Sequence, residues 1–546
     1  MKRFFAAVLA ALMLVATAAC GGPKTDDTGL TTVAPQTSAK TEAGKPAGEN
    51  TVTIADDLAT NGVGNLDTTK TTTNRIFQMS DAVFSHLMKK DPYTLALECD
   101  LLTKTPEISA DSKVFTFELR QDAKFHDGTP VTSADVEYTF TRFFDPDTQN
   151  VNTWMCDFIL GAKDMIDGKA ETLAGFKVVD DYHFTIELAY GYTAFLQVLA
   201  VPPLNIVPKA ACEAAGERWG IDTLIGSGPY RLESFNPQNE VVLARNDDYY
   251  GEKVKVDRVS IVNMDPNTAL LEWEAGTIDA CALGVDLVQG YLDNPEYADN
   301  VLSEQYVGTH IIVFNQSIAP LDNVKVRQAL SLATDNAAIV DGYYRGLVGT
   351  AKTFIPDGIT GYDASLPEME YNPEKAKALL TEAGFPNGIE ITASCVEGTW
   401  LPEAFQILQQ SYKKANINLK IEKVDNATML DRRKANSVQF WSTGWYADFL
   451  DPDNYLYSMF NSSVADFFST GMKNKDFDAK LEAGRLLAPE EKQSYYADLE
   501  KWLIRDQFAC QPLYTPKGYT LISDRVKNVF IKQDFLWCYT EAEVVQ

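Results

Sequence analysis

The residues of this chain that could act as catalytic groups are few and lie far apart in the sequence. The four histidines, His86, His126, His183 and His310, are isolated, and no HExxH, GxSxG or GxxxxGK[ST] motif occurs. Each of those motifs holds a base, a nucleophile or a phosphate-binding loop at a fixed spacing. His126 lies in a turn, residues 125–130, and is interpreted as a turn residue. The sequence therefore predicts neither an enzyme nor a cofactor.

The eight cysteines give no metal or redox signature either, because no two of them form a CxxC pair. No cluster of His, Cys and Asp has the spacing of metal ligands, so no metal site is expected. Seven of the cysteines are predicted to be mainly isolated buried thiols, with one or two disulfides left open. These seven are Cys99, Cys156, Cys212, Cys281, Cys395, Cys510 and Cys538.

The remaining cysteine, Cys20, follows a segment typical of a secretory signal peptide, residues 1–19. Lys2 and Arg3 precede an apolar run of about 16 residues, shorter than the ~20 that a membrane-spanning helix needs. A cysteine directly after the small residues of the cleavage site resembles a bacterial lipobox, although Thr17 stands where leucine is usual. We expect a lipid anchor on Cys20, with ordinary cleavage nearby as the alternative.

Residues 20–50 are expected to form a disordered tether behind the lipidated cysteine, because they contain almost no large apolar side chains. About 495 residues follow, enough for two or three lobes. Loss of Lys2 and Arg3 with the signal takes the formal net charge from −28 to about −30. This charge argues against a nucleic-acid partner and is compatible with a cationic ligand.

Strand and helix patterns alternate along the body, which indicates an α/β fold. The alternating residues 114–120 predict a strand, and the apolar spacing in residues 75–89 predicts a helix. A helix is also expected to start at Thr132, a polar N-cap with an acidic residue in the first turn. Further strands are predicted at 51–55, 184–188, 241–243 and 310–315, and further helices at 265–275, 323–333 and 373–383.

Motifs spread along the body resemble, in their order, the family-5 extracellular solute-binding proteins of bacterial ABC importers. Any one of them is weak, but the ordered series is a strong signal. The series is LRQDAKFHDGTP at 119–130 followed by ADV at 134–136, GSGPY at 226–230, RNDDYYG at 245–251, GTID at 276–279, FN at 314–315, VRQAL at 326–330, YNPEKA at 371–376 and GWYAD at 444–448.

The resemblance implies a periplasmic-binding-protein-like fold, in which two lobes joined by a hinge enclose a ligand, with an extra domain. The family's chain passes through three discontinuous domains. Carried onto this sequence, domain I comprises residues 51–86, 211–303 and 511–546, domain II residues 87–210, and domain III residues 304–510.

The resemblance also implies a ligand contact in the GWYAD motif. In peptide-binding members, an aspartate three residues after the motif's tryptophan pairs with the ammonium end of the peptide, and Asp448 stands there. A carboxylate enclosed with an ammonium forms a charge-assisted hydrogen bond, stronger than a neutral one. The alternative is that Asp448 caps a local turn before Asp451, where aspartate is common.

The remaining predicted contacts are Gly444, Trp445 and Tyr446 of the same motif, with Trp400 and Glu397 from a stretch that faces the ligand in the family. Aromatic walls accommodate varied side chains. Trp441 is a further aromatic candidate for the pocket wall, with packing in the core as the alternative. Dipeptide-binding members place an arginine near the position of Trp400 to hold the peptide carboxylate, and this chain has none there. That absence favours a longer peptide, while Glu397 could favour a cationic side chain.

The expected partners are a peptide ligand, the permease subunits of an ABC importer and a membrane reached through the lipid on Cys20. The protein is expected to be a monomer on the outer face of the cytoplasmic membrane and to bind no nucleic acid. A dipeptide, a nickel chelate or a sugar remains open as the ligand, and so does a peptide-sensing role that feeds no importer.

Overall fold

The computed structural model of the chain describes residues 50–59 and 62–545, and its larger sheets have seven, six and four strands. The predicted signal peptide, Cys20 and the tether up to residue 49 lie outside the described residues. All of the described residues belong to one unit of the chain.

The seven-stranded sheet combines segments from both ends of the described chain. Its central strand, Thr51–Asp56, is buried throughout and runs parallel to Arg258–Asn263, with Thr51 opposite Arg258. In spatial order the strands are Val301–Gln305, Lys517–Ile522, Ala280–Ala282, Thr51–Asp56, Arg258–Asn263, Glu240–Arg245 and Tyr230–Asn236.

The four-stranded sheet is antiparallel and packs a phenylalanine-rich core. The rings of Phe117 and Phe184 stack at 4.8 Å, and Phe176 continues the stack at 5.1 Å from Phe184. These rings are buried, as alternation along an antiparallel strand predicts for one face. The strands, in spatial order, are Glu107–Ile108, Val114–Glu118, His183–Glu187 and Phe176–Asp180.

The six-stranded sheet is mixed. Strands Ile389–Val396 and Ile417–Val424 are parallel and are joined through helix Leu401–Lys414, a βαβ unit. Strand Gly308–Phe314 pairs antiparallel with both of its neighbours. The order of strands is Gly349–Thr350, Cys510–Thr515, Gly308–Phe314, Phe440–Tyr446, Ile389–Val396 and Ile417–Val424.

Helices cover the sheets, and three two-stranded sheets complete the described part of the chain. Those pairs are Met88–Lys90 with Leu97–Cys99, Val526–Lys527 with Glu543–Val544, and Phe530–Ile531 with Trp537–Cys538. The α-helices are Asn74–Val83, Ser133–Phe144, Ala162–Ile166, Phe195–Val198, Lys209–Ala215, Pro266–Glu274, Val285–Leu292, Val324–Ala333, Asn336–Gly342, Pro373–Glu382, Leu401–Lys414, Asn426–Lys434, Asp453–Phe460, Lys475–Arg485 and Pro489–Lys501. A π-helical turn, Trp502–Asp506, and short 3₁₀ turns connect several of them.

The structure confirms most of the predicted elements and corrects one. The helix expected over residues 75–89 ends at Val83, so residues 84–89 were predicted wrongly. Beyond Val83 the backbone is extended, and Met88 pairs with Cys99 in a strand. Leu87 and Met88 are buried as the apolar spacing required, but Leu87 directly precedes strand Met88–Lys90 and Met88 begins it, so neither is helical. A short apolar run cannot distinguish these two cases.

The predicted helix start at Thr132 is confirmed. Helix Ser133–Phe144 begins there with a capping box, in which Asp135 Oδ2 accepts the Thr132 N–H at 3.0 Å. The seven cysteines of the described residues are all free, and all except Cys99 are buried, as expected. The mixed α/β class is likewise confirmed. The division into three discontinuous domains stays a prediction.

Candidate functional site

Strand Phe440–Tyr446, inside the six-stranded sheet, carries part of the predicted ligand motif. It pairs over its whole length with Gly308–Phe314. Successive side chains on a strand point to opposite faces, so Trp445 and Tyr446 lie on different sides of the sheet. Asp448 follows two residues after the strand ends. The sheet thus fixes the position from which the Asp448 carboxylate emerges.

Asp448 presents a half-buried carboxylate that has an amide as its partner. Asn454 Nδ2 donates to Asp448 Oδ2 at 3.0 Å, and the Asp448 N–H donates back to Asn454 Oδ1 at 3.2 Å. Burial raises the pKa of Asp448 above its ordinary value, against the Asn454 hydrogen bond and the charge of Lys90. The following turn is capped by Asp451, whose Oδ1 accepts the Asp453 N–H at 3.0 Å. Asp451 thus caps this turn, while Asp448 is bonded to Asn454 in the same segment, so its ligand role and its local role both stay predictions.

Lys90 lies beside Asp448, but its ammonium pairs with a different carboxylate, that of Asp534. Its Nζ donates to Asp534 Oδ2 at 2.8 Å and reaches Asp448 through the backbone carbonyl, at 3.2 Å. Lys532 stands 3.1 Å from Asp81 Oδ2 and 3.9 Å from Asp534 Oδ1. Burial alone would raise the pKa of Asp534, but Lys532 and Lys90 hold it below its ordinary value. In the described residues, no cation lies within 4.0 Å of the Asp448 carboxylate.

An aromatic cleft of about 350 Å³ lies where the seven-stranded and six-stranded sheets meet. Strands Gly308–Phe314, Cys510–Thr515 and Lys517–Ile522 contribute to its walls. Such a cleft offers contact area to side chains of varied shape. The rings that line it are those of Tyr306, His310, Tyr344, Trp400, Tyr446, Tyr514, Tyr519, Phe535 and Trp537.

His310 is the centre of this ring cluster and is neutral there. It stacks on Tyr514 with ring centroids 4.4 Å apart, and the edge of Trp400 approaches at 5.4 Å. His310 Nε2 and the Tyr446 hydroxyl share a hydrogen bond of 3.2 Å. Burial lowers the pKa of His310 to about 3, so the ring carries no charge at neutral pH. His310 therefore contributes a neutral ring surface to the wall of the cleft.

Gly444 is required by the position of the His310 ring. The two residues are directly opposite in the paired strands. A Cβ at Gly444 would lie 2.5 Å from His310 Nε2 and 2.7 Å from Cε1. Any side chain at position 444 would therefore push the imidazole out of the cluster. The glycine of the GWYAD motif therefore leaves room for the His310 ring, which lines the cleft.

The structure brings Trp400 and Tyr446 together in the cleft but places the other aromatic candidates elsewhere. Trp445 packs its edge on Phe468 with centroids 5.4 Å apart, and its Nε1 donates to Asn454 Oδ1 at 3.3 Å. Trp441 is buried in the hydrophobic core, the alternative given for it. The ligand contacts of Trp445 stay a prediction.

Glu397 is exposed, one residue after strand Ile389–Val396, and its N–H donates to the Val424 carbonyl at 2.9 Å. It is not among the residues that line the aromatic cleft. Its preference for a cationic side chain stays a prediction.

Sequence reasoning missed several residues that shape this region. His310 and Tyr514 form the centre of the cleft, and Lys90 and Asp534 flank Asp448. They are separated by up to 444 residues along the chain, so no local motif joins them. The only available signal was the strand pattern around His310, which places the ring on one face of a sheet.

The described residues contain no group of three or more His, Cys, Asp or Glu side chains arranged to hold a metal ion. Among the same residues, no helix combines the length and apolar character needed to cross a bilayer. Cys20, the predicted lipid attachment site, lies outside them.

Comparison with protein families decides the membership of the chain. The model of bacterial extracellular solute-binding proteins, family 5 Middle, matches residues 96–467. The chain belongs to this family. The resemblance drawn from the ordered motifs is thereby confirmed, and the family is one of solute-binding proteins.

Curated relatives cover most of the chain at moderate identity. The periplasmic oligopeptide-binding protein OppA of Salmonella typhimurium is 29% identical over 451 residues, which are 78% of this chain and 82% of the relative. Heme-binding protein A of Haemophilus influenzae is also 29% identical, over 452 residues, 78% of this chain and 80% of the relative. Relatives of similar identity thus differ in the ligand that their names record.

Solved structures share the fold. The murein tripeptide binding protein MppA of Escherichia coli superimposes with a TM-score of 0.80 at 23% identity, covering 92% of this chain and 100% of that one. This similarity confirms the predicted periplasmic-binding-protein-like, two-lobed α/β fold.

Proposed function

We propose that this protein captures oligopeptides outside the cytoplasm and delivers them to an ABC importer, and that Asp448 receives the ammonium end of the peptide. The observation that carries the proposal is the half-buried Asp448 carboxylate, whose side-chain partner is the neutral amide of Asn454. A cation-bearing ligand would supply the missing charge. OppA of Salmonella typhimurium, named for oligopeptides, and MppA, named for a murein tripeptide, agree with this class of ligand.

The energetics favour a ligand charge at this position. Removing a carboxylate from water is costly unless an opposite charge and good hydrogen bonds replace the water. The Asp448 carboxylate has one amide hydrogen bond and, among the described residues, no cation within 4.0 Å, and burial raises its pKa above the ordinary value. An ammonium enclosed beside Asp448 would form a charge-assisted hydrogen bond and lower that pKa.

The aromatic cleft suits the side chains of a peptide of varied sequence. Trp400, Tyr446 and Tyr514 offer ring surfaces without a fixed pattern of polar groups. Main-chain hydrogen bonds to an extended peptide would add affinity that does not depend on its sequence. The missing arginine near Trp400 favours oligopeptides over dipeptides.

Delivery follows from the two-lobed fold. Closure of the lobes around the ligand, biased by ligand contacts, would give the importer a form to recognise. A lipid on Cys20 would hold the protein on the outer face of the cytoplasmic membrane, where a monomer on a tether meets the permease. No chemical conversion of the ligand is part of this proposal.

Native mass spectrometry of the purified protein tests the ligand class. The expected result is a series of bound masses that correspond to peptides of several lengths. Protein that is unfolded, dialysed and refolded serves as the control and should lose the series, then regain it on addition of a peptide mixture. Bound masses that correspond only to a haem, a metal chelate or a sugar would contradict the proposal.

A further inference from the structure

The charges that line the aromatic cleft do not balance. Three charged side chains face it, those of Asp56, Arg75 and Lys517. Arg75 Nε donates to Asp56 Oδ1 at 3.0 Å, and Gln78 donates to the other carboxylate oxygen at 3.1 Å. Asp56 and Arg75 therefore neutralise each other. Lys517 is left as the net charge of the cleft.

Lys517 has no carboxylate of its own in the part of the chain that the structure describes. No Asp or Glu oxygen of residues 50–59 and 62–545 lies within 4.0 Å of its Nζ. Its Nζ instead lies 5.4 Å from the centroid of the Tyr519 ring. By contrast, the buried Lys90 and Lys492 each hold a carboxylate at 2.8 Å.

The backbone fixes where this ammonium starts. Lys517 is the first residue of strand Lys517–Ile522 in the seven-stranded sheet and pairs with Gln305. The side chain is half-buried and borders the cleft that Tyr446 lines from the other sheet. Tyr446 lies two residues before Asp448. The cleft is therefore bordered by a cation that has no carboxylate partner among the described residues. Two residues beyond Tyr446, on the other sheet's side of the cleft, stands the Asp448 carboxylate, whose partner is the neutral amide of Asn454.

We propose that Lys517 binds the carboxylate end of the ligand, opposite the ammonium end at Asp448. This inference rests on the proposed function, since it assigns the second end of the same peptide. It also supplies a cation that the sequence lacks near Trp400. A lysine ammonium is a point charge on a flexible four-carbon stem, whereas a guanidinium demands a fixed bidentate geometry. Lys517 can follow carboxylates at different positions, which suits peptides of more than one length.

The test compares a peptide acid with its amide. Isothermal titration of the wild-type protein with alanyl-phenylalanyl-alanine and with its C-terminal amide should show the acid bound about tenfold or more tightly, as hydrogen bonds between charged groups imply. Lys517→Met should bind both forms equally, and Lys517→Arg should restore part of the preference. Lys473→Met, at an exposed lysine paired with Asp466, is the matched control and should keep the wild-type preference.

The outcomes separate this inference from the function on which it rests. Equal binding of acid and amide by the wild type, or a preference that persists in Lys517→Met, would overturn the role of Lys517 alone. Failure of the wild type to bind either form, together with native masses free of peptide, would overturn the role of Lys517 and the proposed function together.

Discussion

Asp448, Asp451 and Asp453 lie close together in the sequence but have different side-chain partners. Asp453 Oδ2 accepts a hydrogen bond from Arg485 Nη2 at 2.6 Å and another from the Tyr192 hydroxyl at 3.1 Å. Asp451 Oδ2 forms an ion pair with Lys492 Nζ at 2.8 Å. The Asp448 carboxylate accepts a hydrogen bond from the neutral side-chain amide of Asn454. The nearby ammonium of Lys90 pairs with Asp534 instead.

The difference separates carboxylates that pair with the protein's own cations from Asp448, the carboxylate that we propose binds the ligand. Arg485 also lies 3.5 Å from the centre of the Tyr457 ring, so the Asp453 pair is enclosed by the protein itself. Burial raises the pKa of both Asp451 and Asp448, but a full cationic partner opposes it only at Asp451. The first pattern ties the carboxylate into the fold, and in the proposed function the second leaves a charge for the ligand's ammonium to neutralise.

The largest expected effect comes from breaking the structural pattern. Asp453→Asn should lower the free energy of unfolding by about 3–5 kcal/mol, because it leaves the Arg485 guanidinium buried without its counter-charge. Urea denaturation followed by circular dichroism measures this. Glu382→Gln, which breaks an exposed pair with Lys325, is the control and should change stability by less than about 1 kcal/mol. Equal effects of the two variants would remove the distinction.

Glu500 provides a buried carboxyl that does not line the aromatic cleft. Its Oε1 accepts the N–H groups of Phe354 and Ile355 at 2.5 and 2.6 Å, and burial raises its pKa to about 8. The folded protein then binds more protons than the unfolded chain, so stability should fall as the pH rises from about 5 to about 8. Glu500→Gln should flatten this slope in urea titrations.

The control for this pH dependence is Glu490→Gln, at an exposed position, which should keep the slope of the wild type. A slope that is unchanged in Glu500→Gln would show that another group sets the pH dependence.

A smaller effect is expected in the cleft wall. Trp400→Ala should weaken binding of alanyl-phenylalanyl-alanine by about 1–2 kcal/mol, roughly tenfold, because it removes a ring that lines the cleft. Tri-alanine should lose much less, since its methyl groups reach little of that ring. Isothermal titration with both peptides measures the difference. Equal losses for the two would place Trp400 outside the side-chain pocket.

The local sequence predicted individual helices and strands better than it predicted which of them pair or pack against each other. Helix Ser133–Phe144 could be predicted because its start depends on residues three apart. Residues 84–89 could not, since their extended form depends on pairing with Leu97–Cys99. Within the candidate site, Asp448 and Tyr446 could be predicted because they belong to one motif. His310 and Lys517 could not, because they lie on strands of two different sheets that only the fold brings to one cleft.

Alternation along a strand explains a further limit of motif reasoning. Trp445 and Tyr446 are neighbours in the motif, yet one packs on Phe468 and the other lines the cleft. The motif names the residues, and the sheet decides which of them share a surface.

The most direct test of the account is the charge that Asp448 recognises. Isothermal titration of the wild type should show alanyl-phenylalanyl-alanine bound at least about 30-fold more tightly than its N-acetylated form, as loss of a buried charge pair implies. Asp448→Asn should bind both forms equally weakly while unfolding at or above the wild-type temperature. A variant that keeps the wild-type preference for the free ammonium would contradict the account.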